Sequence, residues 1–185
     1  VTFNTCKSSD GPSTATSIIS VTPDGERTMC THLGACLNLS EEDINEEIIS
    51  DCKICYLEGY LWDPPGAIKA FKKVISIAKN NDTLVSFTLS DSFCVDRYRD
   101  QFLELIKNDI DILFCNEDEI KALYKSDDLH KSIKNVIQNC DIVVVTKGNK
   151  GSEIISKDNQ FIINAIDIPK VIDKNGAGDA FAAGF

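Results

Sequence analysis

Between residues 53 and 146, short apolar runs alternate with longer stretches whose apolar residues recur every three or four positions. The runs at 53–58, 83–89 and 111–115 have the length and the β-branched and aromatic content of strands. The stretches at 65–80 and 95–108 have helical spacing. A strand–helix–strand repeat makes parallel strands with crossover helices, so the expected class is α/β with a mostly parallel central sheet. Two further helical stretches, 117–125 and 127–139, precede Asp141-Ile142-Val143-Val144-Val145-Thr146. The unbroken apolar character of that run predicts a central strand covered on both faces. Strands at 152–156 and 160–166 follow across a polar turn, and a glycine-rich corner opens a last helix.

The first part of the chain follows another rule. Ser17–Val21 and Thr28–Thr31 are β-like and joined through Pro23-Asp24-Gly25-Glu26, which predicts an antiparallel hairpin. Ser40-Glu41-Glu42-Asp43 has the form of a helix N-cap, with a short helix expected through Ile49. The chain thus divides into a hairpin at about 14–34 and an α/β core at about 53–185, and its 185 residues at 43% hydrophobic content suffice for one sizeable core. Residue 1 is Val rather than Met, and a helical pattern still runs at Phe185, so the expectation is a fragment.

A net charge of -10 and a pI near 4.6 argue against a nucleic-acid or anionic-membrane partner, since such surfaces recruit Lys and Arg. Eight cysteines lie scattered in apolar contexts, which reads as buried free thiols in a reducing cytoplasm. Cys52-Lys53-Ile54-Cys55 matches C-x-x-C, yet no second pair completes a zinc set, and His32 and His130 are remote. The sequence contains neither G-x-x-x-x-G-K-[ST] nor G-x-G-x-x-G, so a P-loop or standard dinucleotide fold has no anchor. No signal peptide or transmembrane run is legible.

In open α/β sheets, ligands gather at the carboxyl ends of the strands. Three segments sit at such ends. Asp173-Lys174-Asn175-Gly176-Ala177-Gly178-Asp179 leads into a helix. Its glycines let the backbone approach a ligand, and the helix offers free N–H groups and its positive dipole end, which together make an anion hole. An acid there repels phosphate, so Asp179 makes sense as a base that accepts a proton from an attacking hydroxyl. The same residues also fit a tight turn in which Asp179 caps the helix.

Asn116-Glu117-Asp118-Glu119 follows the run at 111–115. Glu119 there suits Mg2+, which keeps its waters and is held through one or two carboxylates and nucleotide phosphates. A helix N-cap at Asn116 with acids in the first turn accounts for the same pattern. Thr146-Lys147-Gly148-Asn149-Lys150-Gly151 follows the valine run, where a nucleotide has room against the backbone and Thr146 or Lys147 reaches phosphate. A glycine hairpin is the alternative.

Taken in order, these segments resemble the ribokinase-like (PfkB) family of carbohydrate and nucleoside kinases. That family's late signature is Asp-Thr-x-Gly-Ala-Gly-Asp, matched by Asp173, Gly176, Ala177, Gly178 and Asp179. Lys174 departs from the usual Thr or Ser. The Asn-x-x-Glu element falls on Asn116 and Glu119, and the Thr-x-Gly-x-x-Gly element on Thr146, Gly148 and Gly151. Asp111 to Glu119, Leu57-Glu58-Gly59-Tyr60-Leu61 and Asn175 to Phe181 are most similar to adenosine kinases.

The resemblance implies a ribokinase-like three-layer sandwich with a small β lid hairpin, truncated here. It implies ATP and Mg2+ as cofactors, with room for a monovalent cation, and transfer of the γ-phosphoryl group to a primary hydroxyl. Adenosine is the first acceptor; the alternatives are ribose, fructose or a keto-deoxy sugar acid, or a non-catalytic nucleotide-binding homologue. Asp179 is then the base, Gly176, Ala177 and Gly178 the anion hole, and Glu119 the metal residue. Asn116, Thr146, Gly148, Gly151 and Asp173 line the nucleotide, and Arg27 reaches the phosphates when the lid closes. A monomer or homodimer is implied, and the sugar-binding segment expected before residue 1 is lacking, so the isolated 185 residues are expected to be inactive.

Overall fold

The computed structural model describes Ser8 and residues 10–185. Its first feature is the antiparallel hairpin of β1 (Thr16–Val21) and β2 (Arg27–His32), paired from Thr16 opposite His32 to Val21 opposite Arg27. The expected helix through Ile49 is broken in two. Ser40 and Asp43 form a reciprocal capping box that closes a single 3-10 turn at Glu41–Asp43, and Asn45 caps α1 (Glu46–Ser50) afresh.

A six-stranded sheet follows. Its strands are β3 (Ile54–Glu58), β4 (Leu84–Thr88), β5 (Ile112–Asn116), β6 (Ile142–Thr146), β7 (Ser152–Ser156) and β8 (Gln160–Ile163), adjacent in that order. The first four are parallel and the last two turn back antiparallel. The crossovers are α2 (Pro65–Asn80), α3 (Ser92–Asp109), and the pair α4 (Glu117–Tyr124) and α5 (Leu129–Val136); α6 (Ala177–Gly184) closes the chain. Helix α3 begins three residues earlier than its apolar spacing predicts, because Asp91 accepts a hydrogen bond from Cys94 N at 2.6 Å and caps it. Strand β8 stops at Ile163, short of the expected 166.

The pleat sorts the strands' side chains. Cys55, Leu57, Val85, Phe87, Leu113, Cys115, Val143 and Val145 point to one face and pack under α2, α3, α4 and α5. At the centre, Trp62, Phe71, Phe87 and Phe102 meet edge-to-face, with the Trp62–Phe71 and Phe87–Phe102 centroids both 5.1 Å apart. On the other face Ile112, Phe114 and Val144 are covered by Phe181 and Ala182 of α6. Helices on both sides of a mostly parallel sheet, with a small antiparallel hairpin apart from it, give the three-layer α/β architecture.

Cys55, Cys94, Cys115 and Cys140 are buried free thiols, as expected. Cys30 and Cys36 are exposed instead, because a two-stranded hairpin and the turn after it have no second layer to bury them, and Cys6 lies outside the described residues. Among the described residues no helix is long and apolar enough to cross a membrane.

Candidate functional site

Strands β3 to β6 end on Glu58, Thr88, Asn116 and Thr146, and parallel pairing sets Glu58 beside Thr88 and Asn116 beside Thr146. All four line one cleft of about 570 Å3. Gly176, Ala177, Gly178 and Asp179 from the start of α6 line it as well, and Arg27, Met29 and Thr31 of β2 complete the wall. Residues from six separate stretches of sequence thus converge on the carboxyl edge of the parallel sheet.

The α6 start is built to expose backbone donors. Gly176 takes the N-cap position with φ +70, a conformation that favours glycine, and no side chain caps the helix. Ala177 N donates to Lys174 O at 3.3 Å and Ala180 N to Gly176 O at 2.9 Å. Between them, the N–H groups of Gly178 and Asp179 have no acceptor among the described residues. A Cβ at Gly176 or Gly178 meets no heavy atom of the described residues within 4 Å. The protein's own packing therefore does not require these positions to be bare; the space they leave opens on the cleft.

At the end of β5, Asn116 and Glu119 form a reciprocal capping box. Asn116 Oδ1 accepts from Asp118 N (2.9 Å) and Glu119 N (2.8 Å). Glu119 Oε2 accepts from Asn116 N (3.0 Å) and Oε1 from Asn116 Nδ2 (2.7 Å). Only 6% of Glu119 is exposed, and burial, against the opposing Asn116 hydrogen bond, pushes its carboxyl up to about 7. Each carboxylate oxygen keeps a second lone pair for a water or cation. Among the described residues no three His, Cys, Asp or Glu side chains form a ready-made metal cage.

The third segment divides. Thr146 lines the cleft, and its hydroxyl donates to Cys115 O at 3.4 Å. Gly148 and Gly151 do not line it. Gly151 has φ +90, and a Cβ there overlaps Ile163 O and lies 2.7 Å from Ala165 N, so it serves the β6–β7 turn and the approach of β8. Lys147 is drawn away from the cleft by an ion pair with Glu153, which is 2% exposed and also accepts from Gln160 Nε2. Asp173 likewise stays outside the cleft wall; its Oδ1 accepts from Asn175 N at 2.8 Å and shapes the turn into α6.

The profile of the pfkB family of carbohydrate kinases matches residues 1–185. This chain belongs to the pfkB family. It is similar to the adenosine kinase of Sinorhizobium meliloti, whose structure superposes with a TM-score of 0.95 at 41% identity over 98% of this chain and 56% of that one. A probable sugar kinase of Rhizobium etli CFN 42 matches with a TM-score of 0.94 and 44% identity over 98% of this chain and 55% of that one. A nucleoside kinase of Methanocaldococcus jannaschii is 37% identical over 124 residues, 66% of this chain and 38% of the relative. The chain spans about half the length of the solved relatives.

This pfkB chain also brings to the cleft residues that the motifs did not single out as site residues: Glu58, Tyr60, Asp63, Ser90 and Lys174. Glu58 is half-buried, and burial first, then the Asp179 carboxylate, raises its carboxyl above the usual range. Tyr60 donates to Asp91 at 2.7 Å and ties the β3 and β4 ends together. Ser90 holds φ +71, a strained value for a residue with a side chain. The signal was present as Gly59: a Cβ there comes within 2.9 Å of Leu89 O, so glycine lets the two strand ends close up beside the cleft.

Proposed function

We propose that this chain carries the phosphoryl-transfer centre of an ATP-dependent kinase that phosphorylates the primary hydroxyl of a nucleoside, with adenosine as the first acceptor. The observation that carries the reading is Asp179 at the mouth of the bare α6 start, beside two backbone N–H groups with no acceptor among the described residues. An acid in that place is of little use for holding phosphate and of direct use for taking a proton.

Asp179 would accept the proton of the acceptor hydroxyl as its oxygen attacks the γ-phosphorus of bound ATP, the bond to the β–γ bridging oxygen breaks, and ADP leaves. The Gly178 and Asp179 N–H groups, with the helix dipole behind them, steady the negative charge on the group in transit. Glu119, fixed by Asn116, would hold a divalent cation through its remaining lone pairs, and Thr146, which lines the same cleft, would contact a bound nucleotide. Arg27 on the hairpin faces the same cleft and adds positive charge to it. Gly148, Gly151 and Asp173 support these groups by shaping the two turns that carry them. Mg-ATP, when bound, supplies the γ-phosphoryl group and the divalent charge; the open space at Gly176 and Gly178 and the carboxylate-rich wall fit it.

A sugar as acceptor is the second reading, supported by the 44% identity to a probable sugar kinase. Coupled ADP release by the full-length protein, with adenosine, ribose or fructose offered singly, separates the two. Turnover on adenosine that Asp179→Asn abolishes while ATP binding persists is the expected result. Near-normal turnover in Asp179→Asn removes the base assignment, and turnover on ribose or fructose alone moves the acceptor class.

A further inference from the structure

Lys174 stands where the family signature has a hydroxyl residue, and the structure gives the lysine a partner 148 residues away. Its ammonium pairs with Glu26 in the turn of the β1–β2 hairpin. A threonine at 174 is too short to span that gap.

The turn itself is well defined. Thr22 Oγ1 donates to Asp24 Oδ1 at 2.5 Å and to Glu26 O at 3.1 Å, and Glu26 N donates to Asp24 Oδ1 at 3.3 Å. The Asp24 carboxyl is held below the usual range, chiefly by the Thr22 hydroxyl and then by the Glu26 backbone N–H, with Lys174 a lesser contributor. A second contact is independent of charge. Gly25 is buried with φ +80, and a Cβ there stands 3.4 Å from Val171 Cγ1 and 3.5 Å from Val171 O. The turn therefore lies against residues 171–174 both by backbone packing and by an ion pair. The residue after Glu26 is Arg27, which lines the cleft, and the residues after Lys174 are the start of α6.

We propose that Lys174 is a positioning residue: it fastens the hairpin turn to the segment entering α6 and so keeps Arg27 over the cleft. The coupling stands on the contacts alone; its service to phosphoryl transfer rests on the kinase reading. Lys174 differs in this from a phosphate ligand, because its ammonium is engaged by Glu26 of the hairpin.

The test is hydrogen exchange of backbone amides in the full chain. An exposed ion pair shifts a local opening equilibrium by up to about five-fold, so Lys174→Thr and Glu26→Gln are each expected to speed exchange at residues 27–32 by that order, with residues 142–146 unchanged. The charge swap Glu26→Lys with Lys174→Glu is expected to bring hairpin exchange back to within about two-fold of wild type. Unchanged hairpin exchange in both single variants, or a swap as fast as either single, overturns the proposal. Turnover supplies a second arm. Lys174→Thr and Glu26→Gln are expected to lower kcat alike, with the ATP KM held and the swap restoring kcat. A raised ATP KM in Lys174→Thr alone identifies a direct phosphate contact and overturns the positioning role. A wild-type protein that turns over no acceptor defeats the kinase reading, while the exchange result still decides the coupling.

Discussion

Two glycines of this chain are expected to respond to the same substitution with opposite signs, and the structure sets both magnitudes. At Gly178 the backbone is helical, and an added methyl meets nothing within 4 Å. Alanine there removes chain entropy from the unfolded state and is expected to stabilise by about 0.5 kcal/mol. At Gly151 the methyl overlaps Ile163 O, comes within 2.7 Å of Ala165 N, and forces alanine to φ +90. The backbone conformation costs about 1–3 kcal/mol alone. Displacing β8 also threatens the Lys147 N to Gly151 O hydrogen bond of 2.8 Å, so a loss of at least about 3 kcal/mol is expected. Urea unfolding followed by fluorescence of Trp62, the one tryptophan and 5% exposed, reports both changes. Calorimetric titration with Mg-ATP supplies the other half: Gly178→Ala is expected to weaken nucleotide binding at least ~10-fold while its fold gains stability, because the methyl occupies the space beside the open N–H groups. Loss of more than about 1 kcal/mol in Gly178→Ala, or wild-type affinity in it, refutes the reasoning about the α6 start. A Gly151→Ala protein within about 0.5 kcal/mol of wild type refutes the clash.

Glu119 carries more protons folded than unfolded between its ordinary value of 4.5 and about 7, so its contribution to stability falls as pH rises through that window, by at most about 3 kcal/mol. Thermal unfolding from pH 4.5 to 7.5 should show that slope in wild type and lose it in Glu119→Gln, whereas cation-dependent ATP affinity should rise as pH passes 7 and the carboxylate forms. Lys147→Met leaves Glu153, 3% exposed at its side chain, as a buried unpaired acid, and a loss of about 3–5 kcal/mol is expected by urea unfolding. Adding Glu153→Leu should recover most of it, and an undamaged single variant would show that the pair is not buried in solution. Phe87→Ala removes the ring shared by Phe71 and Phe102, at 5.9 and 5.1 Å, and is expected to cost about 3–5 kcal/mol with the cleft residues untouched.

The parallel strands were legible because each is a short apolar run between amphipathic stretches, and Ile142–Thr146 is central and covered on both faces as its valines predict. What the pattern missed was decided by side chains that reach past their neighbours. Asp91 moved the start of α3, and Asn45 restarted a helix that Ser40 had seemed to open. The candidate site was legible where a motif is contiguous, as in Gly176 to Asp179 and Asn116 to Glu119. Glu58 and Ser90 look in sequence like any polar residue after a strand; only parallel pairing, with the close approach allowed by Gly59, sets them in one cleft. Gly148 and Gly151 show the converse: a ligand-like glycine spacing that the β6–β7 turn needs for its own geometry.

The sheet order has a kinetic consequence. Strands β3 to β8 each pair with the next in sequence, with Ile54 opposite Leu84 and Ile112 opposite Ile142 among the widest pairings, so the sheet closes in steps far shorter than the span from the hairpin to the α6 segment. The contact between Glu26 and Lys174 spans 148 residues and waits for the last segment of the chain. The α6 start and the hairpin side of the cleft are therefore expected to assemble last during folding and to come apart first under mild denaturant, while the sheet beneath them stays intact.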